Sequence, residues 1–314
     1  MQNEQEQSYR SGFVAIVGRP NVGKSTLLNA LLGVKLSIAT PRPQTTRNRI
    51  LGVMSTPGRG QIAFLDTPGI HSARNRLNTR MVSAALEAMT SADVLLFVVE
   101  AGSLVKTPDA PFWGGDKVVV DALREQDKPV VLVINKVDTV KPKELLLPVI
   151  ATLGQDPLFK AIIPTSATRE VNVDGVRDEL YGLLPEGVQL FPDDMITDRP
   201  ERFIVAERIR EQVFLQTQRE IPYSVAVVVE TFSEMADEDR LEIGAVIHVE
   251  RDSQKGIIIG KGGERLKAIG TAARMDIQQF FERRVHLDLF VRVQKSWSED
   301  QRTLAEFGYG EDEL

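Results

Sequence analysis

Short apolar runs alternate with amphipathic stretches along the first part of the chain. The apolar runs have the length and composition of buried strands and cover residues 13–17, 62–65, 94–99, 130–134 and 161–164. Apolar side chains recur with helical spacing in residues 26–32, 77–89, 118–125 and 173–184. This alternation predicts an α/β domain over residues 1–184, with a mostly parallel sheet that helices cover on both faces.

A different pattern follows a stretch with three prolines, residues 185–200, which we interpret as a linker. Residues 201–219 and 264–282 have helical spacing, and residues 224–231, 243–249 and 285–293 have the apolar and β-branched character of strands. We therefore expect a second domain of the α+β class over residues 201–314. Its last four residues form an acidic tail.

The first predicted strand leads into a sequence with the spacing of a phosphate-binding loop, Gly18-Arg19-Pro20-Asn21-Val22-Gly23-Lys24-Ser25. Glycines let the backbone N–H groups of such a loop point at phosphate oxygens, and the following helix adds its dipole. In this arrangement Lys24 reaches the β- and γ-phosphates, and the hydroxyl of Ser25 binds magnesium.

Two further motifs follow the ends of predicted strands, where the ligand-binding loops of a parallel sheet lie. Asp66-Thr67-Pro68-Gly69 offers a carboxylate for magnesium and an N–H group that can sense a γ-phosphate, although this spacing alone also suits an ordinary turn. In Asn135-Lys136-Val137-Asp138, the carboxylate of Asp138 can accept the two N–H donors that guanine presents and adenine lacks. Taken alone, that motif also suits a solvated helix-capping turn.

Ser166 and Ala167 follow the next strand, where a backbone N–H group can meet guanine O6. We expect Asn135 to brace its loop and the stem of Lys136 to lie along the base. The order of the four motifs predicts a guanine-nucleotide site. An ATPase with a similar loop is the alternative, which the acceptor at Asp138 disfavours.

These residues resemble the G-protein superfamily, and their details are similar to the Era family of bacterial ribosome-assembly GTPases. The similarity extends to Pro43-Gln44-Thr45-Thr46-Arg47-Asn48-Arg49 and to Asp66-Thr67-Pro68-Gly69-Ile70-His71. It implies that GTP or GDP binds at Gly18, Asn21, Val22, Gly23, Lys24, Ser25, Thr26, Thr46, Asp66, Gly69, Asn135, Lys136, Asp138, Ser166 and Ala167. It also implies that Ser25, Asp66 and a threonine hold Mg²⁺; Thr46 is our choice and Thr45 its competitor.

Two positions bear on hydrolysis. Ile70 stands where Ras-like enzymes carry a glutamine that orients water, and an isoleucine cannot do so. Asn21 occupies the position that holds K⁺ in similar GTPases, and a monovalent cation there can stabilise developing charge. The resemblance therefore implies a slow, potassium-stimulated reaction that depends on Asn21, Lys24, Thr46 and Gly69. The irregular residues 107–116 receive no function.

In the second domain, Gly260-Lys261-Gly262-Gly263 has the G-x-x-G spacing of a KH domain, whose loop clamps single-stranded nucleic acid beside an apolar groove. The spacing alone is a weak signal. An isoleucine run precedes it, and the element order α-β-β-α-α-β resembles the KH arrangement that ends Era proteins. Our candidate RNA contacts are Ile257, Gly260, Lys261, Gly262, Gly263 and Arg265.

The net charge of the whole chain differs in sign from the charge around the glycine loop. The whole chain carries −6, which argues against nucleic-acid binding, yet residues 255–295 contain nine basic and four acidic side chains. Lys261, inside the glycine loop, is the strongest candidate for a phosphate contact. Arg274, Arg283 and Arg284 individually suit a solvated helix face.

The chain contains no cysteine, no apolar run long enough to span a bilayer and no apolar leader, so we expect a cytoplasmic protein. The resemblance implies binding to the 3′ end of small-subunit ribosomal RNA and to the 30S subunit during assembly. It also implies peripheral contact with the cell membrane, and we expect a monomer. A rival is an RNA-binding module that holds nucleotide only as a structural ligand.

Overall fold

A computed structural model describes residues 8–42, 45–70, 76–217, 221–235 and 239–309. Pro43, Gln44, His71 and the acidic tail, residues 311–314, lie outside these ranges. The described residues form two compact units. The first comprises residues 8–37, 46–70 and 81–198, and the second comprises residues 38–42, 45, 76–80, 199–217, 221–235 and 239–309.

The first unit contains a six-stranded sheet in the order β2-β3-β1-β4-β5-β6. Its strands are β1 (Arg10–Val17), β2 (Ile50–Thr56), β3 (Gly60–Asp66), β4 (Val94–Glu100), β5 (Val130–Asn135) and β6 (Phe159–Pro164). All neighbouring pairs are parallel except β2–β3. The predicted mostly parallel α/β fold is therefore confirmed. The sequence missed β2 because Gly52 and its polar end, Ser55-Thr56, break the apolar run.

Within the described ranges, six α-helices accompany this sheet: α1 (Lys24–Leu32), α2 (Arg76–Ser91), α3 (Ala101–Leu104), α4 (Gly115–Arg124), α5 (Leu146–Leu153) and α6 (Val173–Leu183). The predicted helical residues 26–32 lie in α1, which ends before Gly33, and the N–H group of Gly33 bonds the carbonyl of Asn29. The sequence missed α3, which is a single turn, and α5, which contains Pro148 and lacks a polar stripe. The central strands β1, β4 and β5 are fully buried at most positions, as a sheet covered on both faces requires.

Most of the stretch interpreted as a linker, residues 185–200, belongs to the first unit, where residues 185–198 pack. Gln61 of β3 is fully buried, and its side chain bonds the backbone N–H groups of Leu190 and Phe191 and the carbonyl of Phe191. The N–H group of Val53 bonds the carbonyl of Ile196. The prolines and acidic residues of this stretch predict an irregular segment. They do not predict that the buried side chain of Gln61 holds the segment on the sheet.

The second unit contains α7 (Glu201–Gln216), β7 (Val225–Met235), β8 (Arg240–Val249), α8 (Asp252–Ile259), α9 (Glu264–Phe281), β9 (Arg284–Val293) and α10 (Gln301–Glu306). The strands form one sheet, β7-β8-β9, with an antiparallel and a parallel pair. Side chains of α7 and α9 share its core, including Ile209 and Ile269. The predicted order α-β-β-α-α-β is observed, and α10 adds to it. No helix within the described ranges is long and apolar enough to cross a membrane.

Candidate functional site

The phosphate-loop sequence joins β1 to α1, as its spacing predicts. Gly23 has φ +99°, and a Cβ atom there would lie 2.4 Å from Nδ2 of Asn135. A larger residue would therefore be strained and would push the next loop away. Glycine at this position lets two ligand-binding loops approach each other closely.

Lys24, the first residue of α1, is almost fully buried at the mouth of this loop. Its ammonium group donates hydrogen bonds of 3.1 Å to the carbonyls of Gly18 and Arg19. Burial lowers the pKa of Lys24 to about 8, and the nearby charge of Asp66 opposes that shift. The lysine is thus held where it can meet phosphate oxygens.

The three residues predicted to hold magnesium come together. The Ser25 hydroxyl donates to Oδ2 of Asp66 over 2.8 Å and lies 2.8 Å from the hydroxyl of Thr46. Asp66 is fully buried, which raises its pKa, and its Oδ1 takes no hydrogen bond from the described residues. Thr45 instead bonds the carbonyl of Arg42 and the hydroxyl of Thr40. Thr46, not its competitor, is therefore the threonine beside Ser25.

Gly69 and Ile70 follow this carboxylate. A Cβ atom at Gly69 would lie 2.6 Å from the backbone nitrogen of Pro20, so the two loops touch here. The N–H group of Ile70 bonds the carbonyl of Gly18, and its side chain is buried in the apolar core. Position 70 therefore presents no polar side chain to the nucleotide site.

The loop after β5 is braced as predicted. The buried side chain of Asn135 donates to the carbonyl of Val22 over 2.9 Å and accepts the N–H group of Ala167 over 3.0 Å. Lys136 donates to the carbonyl of Asn21 over 2.7 Å. These bonds fasten the predicted guanine-binding loops to the phosphate loop.

Asp138 is held by side chains that the sequence did not connect to it. The Ser166 hydroxyl donates to its Oδ1 over 2.6 Å, and Nε of Arg169 lies 3.6 Å from Oδ2. The bond from Ser166 is the main reason that the pKa of Asp138 lies below its usual value. The carboxylate is thus kept ionised and able to accept N–H donors.

The N–H groups predicted to face guanine O6 both have acceptors within the protein. Ser166 donates to the carbonyl of Val171, and Ala167 donates to Asn135. A contact from Ala167 to a base therefore requires this N–H group to be shared with Asn135 or released from it.

Residues 107–116, which the sequence left without a function, end at a carboxylate that contacts the phosphate loop. Asp116 is buried, which raises its pKa, and its Oδ2 lies 3.0 Å from Nε of Arg19. Arg19 also donates to the hydroxyl of Ser103 over 2.7 Å, and Phe112 packs on Phe97. The segment thus connects the phosphate loop to the apolar core. These contacts join positions far apart in the sequence, so no local motif predicts them.

In the second unit, Gly260-Lys261-Gly262-Gly263 forms the tight connection between α8 and α9. Gly262 has φ +59°, and open space surrounds the position of a Cβ atom there. Ile257 is 42% exposed, and its carbonyl accepts a bond from Arg265. Arg265, one of our candidate RNA contacts, therefore also braces the two helices that flank the loop.

A groove with a volume of about 370 Å³ begins at this loop and runs between α9 and β9. Its lining combines apolar side chains with two cations and a hydroxyl: Gly263, Leu266, Lys267, Gly270, Thr271, Arg274, Leu287 and Leu289. Apart from Gly263, these residues are not among the RNA contacts that the sequence predicts. Positions 263, 267, 270, 271 and 274 recur on one helix face, a signal that could have found the α9 side of the groove.

Three arginines of this unit have two kinds of surroundings. Arg283 pairs with Glu234 and Asp239, and Arg292 pairs with Glu230, so their charges are balanced on the protein surface. Arg274, expected on a solvated face, is half-buried, lines the groove and donates to Gln278 over 2.6 Å.

Comparisons with known proteins agree with the folds of both units. Residues 13–136 match the family described as a 50S ribosome-binding GTPase, and residues 220–298 match the KH domain family. The chain is 52% identical to GTPase Era of Geotalea uraniireducens (strain Rf4), over 97% of this chain and 99% of that protein. It belongs to the GTPase Era family. GTPase Era of Syntrophus aciditrophicus (strain SB) is 50% identical, over 96% of each chain.

Two solved Era structures each superpose with a TM-score of 0.90 at 40% identity, over 96% of this chain and 99% of theirs. One is Era in complex with MgGDPNP and nucleotides 1506–1542 of 16S ribosomal RNA. The other is a variant of Aquifex aeolicus Era bound to GDP and AlF4⁻. The two units of this Era-family chain thus have the GTPase and KH folds.

Asp116→Asn tests whether the phosphate loop depends on its buried ion pair. Arg19 loses its nearest anion and keeps Glu100 at 3.7 Å, so we expect the free energy of unfolding to fall by about 1–3 kcal/mol and GDP to bind several-fold more weakly. Urea unfolding and calorimetric GDP titration measure the two effects. The control is Asp121→Asn, which removes an exposed carboxylate paired with Lys117. Equal behaviour of both variants would contradict the assignment.

Proposed function

We propose that this Era-family protein binds GTP with Mg²⁺, hydrolyses it to GDP and phosphate, and binds single-stranded small-subunit ribosomal RNA through its KH groove. One observation carries the nucleotide part of the proposal. The predicted magnesium ligands meet beside Lys24, while the braced Asp138 belongs to a loop that bonds the same phosphate loop. A single edge of the sheet therefore carries groups for phosphates, metal and base.

Base recognition rests on Asp138 as an ionised acceptor. Guanine presents two N–H donors to a carboxylate, whereas the corresponding edge of adenine presents an acceptor at N1. The Ser166 hydroxyl occupies part of the hydrogen-bonding capacity of Oδ1 and fixes the carboxylate's position. This arrangement favours GTP and argues against the alternative of an ATPase.

The residues at Asp66 fit a magnesium ion. The hydroxyls of Ser25 and Thr46 and the free Oδ1 of Asp66 are hard oxygen donors, which Mg²⁺ prefers together with phosphates and water. When bound, the ion neutralises charge on the β- and γ-phosphates. Lys24 adds a positive charge at the same phosphates, and the N–H group of Gly69 is placed to sense the γ-phosphate.

Hydrolysis at this site lacks a water-orienting side chain at position 70, because Ile70 is buried. We propose that intrinsic turnover is slow and that K⁺, held by Asn21, supplies positive charge between the phosphates. Asn21 has φ +67°, and its carbonyl accepts a bond from Lys136. The backbone at the proposed cation site is thus fixed by the guanine-binding loop.

The RNA part of the proposal rests on the glycine loop and the groove beside it. Open space around Gly262 lets a nucleic-acid backbone approach, and Lys261 adds a cation. The apolar groove suits bases, with Lys267 and Arg274 along its rim. The related Era bound to nucleotides 1506–1542 of 16S ribosomal RNA supports an RNA target near the 3′ end of small-subunit RNA.

From this target we infer a role in assembly of the 30S subunit by a monomeric cytoplasmic protein. Peripheral membrane contact remains part of the proposal on family resemblance alone. We also retain residues 1–184, 185–200 and 201–314 as the proposed GTPase domain, connecting segment and KH domain.

Asp138→Asn tests base recognition. The amide places a donor opposite the N2 amine of guanine, so GTP affinity should fall by about 1–3 kcal/mol, or roughly 5–150-fold. Xanthosine triphosphate, which carries a carbonyl at that position, should bind the variant better than the wild type. Competition against a fluorescent nucleotide measures both affinities. Unchanged GTP affinity without a gain for the xanthine nucleotide would contradict the assignment.

The cation assignment predicts faster GTP turnover in KCl than in NaCl at equal ionic strength. Asn21→Ala should remove that difference because it removes the proposed ligand, whereas Ile70→Ala should retain potassium stimulation. Phosphate release in the two salts is the measurement. Equal wild-type rates in both salts would exclude the role of K⁺.

The combined change Lys261→Asp and Gly262→Asp tests the RNA site. It replaces a cation by two anions where a phosphate backbone must approach, so RNA affinity should fall at least tenfold and its salt dependence should weaken. RNA-free GTP turnover should remain unchanged, because neither residue belongs to the nucleotide site. Any stimulation of turnover by RNA should disappear.

The measurement is fluorescence anisotropy with a single-stranded oligonucleotide from the 3′ end of 16S RNA, on protein shown by circular dichroism to be folded. The control is Arg302→Asp, which changes charge at an exposed position on α10 outside the groove. Undiminished RNA binding by the double variant would place the RNA site elsewhere.

A further inference from the structure

Ser37 is a buried hydroxyl that the proposed function does not use. Its side chain is 1% exposed, and its Oγ donates a 2.8 Å hydrogen bond to Oδ2 of Asp66. This is the same oxygen that accepts the hydroxyl of Ser25. Asp66 Oδ2 thus has donors from two different segments, while Oδ1 is buried without a hydrogen bond from the described residues.

The position of Ser37 is itself fixed by Asn29. The Asn29 amide donates to the carbonyl of Ser37 over 2.7 Å, and its Oδ1 accepts the N–H groups of Leu36 and Ser37 over 3.0 and 2.9 Å. Three bonds from one side chain hold the backbone on either side of the hydroxyl. The backbone that carries the Ser37 hydroxyl is therefore held in place next to Asp66.

Asn29 lies four residues after Ser25 on α1, so both side chains project from the same face of that helix. Ser25 contacts Asp66 directly, and Asn29 acts on Asp66 through Ser37. The same helix face therefore carries Ser25 and, through Asn29, fixes Ser37. Two donors that approach one carboxylate oxygen from different segments restrict rotation of the carboxylate more than either donor alone.

We propose that Ser37 is a positioning residue of the magnesium site. By occupying Oδ2, its hydroxyl orients Asp66 so that Oδ1 is the oxygen left for Mg²⁺ or for water bound to it. Hydrogen-bond partners of metal-binding carboxylates commonly change metal affinity 10–100-fold when they are removed. The inference rests on the proposed function, since it assumes that Asp66 serves magnesium.

A purely structural role for Ser37, in fastening residues 34–37 to the core, makes a different prediction. It would change folding stability or nucleotide affinity alike with and without magnesium. A positioning role instead changes the magnesium concentration that nucleotide retention requires. The two roles therefore separate in a magnesium titration.

The test uses full-length Ser37→Ala loaded with fluorescent GDP, whose dissociation is followed over a series of MgCl₂ concentrations and in EDTA. We expect the half-saturating magnesium concentration to rise roughly tenfold, with the dissociation rate in EDTA unchanged. Ser91→Ala is the matched control, because it removes an exposed hydroxyl that bonds the carbonyl of Ala88 within α2.

Asp66→Asn separates failure of this inference from failure of the proposed function. If Asp66→Asn raises the magnesium requirement and Ser37→Ala does not, the positioning role is overturned while the metal site stands. If Asp66→Asn has no effect, the magnesium assignment itself fails, and the role of Ser37 falls with it. A change in the EDTA rate of Ser37→Ala equal to its change in magnesium would assign the residue to structure alone.

Discussion

A buried carboxylate at the end of β3, Asp66, is the constraint around which the nucleotide site is arranged. An ionised carboxylate without solvent is costly unless donors or cations compensate it. Here the hydroxyls of Ser25 and Ser37 supply donors, and Lys24 contributes a nearby positive charge. The helix after the phosphate loop, the loop that follows it and strand β3 must therefore all be in place together for this carboxylate to be stable.

Strand order brings the remaining groups to the same edge. β1 lies between β3 and β4, and β5 follows β4, so loops that are distant in sequence emerge side by side. Side chains then join the loops directly. Asn135 and Lys136 bond the backbone of the phosphate loop, and Arg19 extends from that loop to Asp116. Recognition of the base and binding of the phosphates thus share one hydrogen-bonded framework.

Local motifs allowed the sequence to predict much of this arrangement. A glycine loop between a strand and a helix has few alternatives, and Asp66 and Asn135 each follow an apolar strand. The contacts that decide details join distant positions. The choice of Thr46 over Thr45 as a magnesium ligand depends on its contact with Ser25. The pairing of Asp116 with Arg19 joins residues that no sequence motif connects. In the KH domain, the sequence Gly260-Lys261-Gly262-Gly263 is recognisable as a motif. Leu287 and Leu289 line the groove because β9 pairs with β8 in the sheet, and this pairing has no local sequence motif.

The central claim is that this framework turns over guanine nucleotide instead of holding it as a structural ligand. The most direct measurement is phosphate release by the full-length protein in KCl and MgCl₂, with GTP or ATP in large excess over enzyme. The account predicts many turnovers of GTP per protein and none of ATP. Release that stops at one equivalent of GTP, or that is equally fast with ATP, would contradict it.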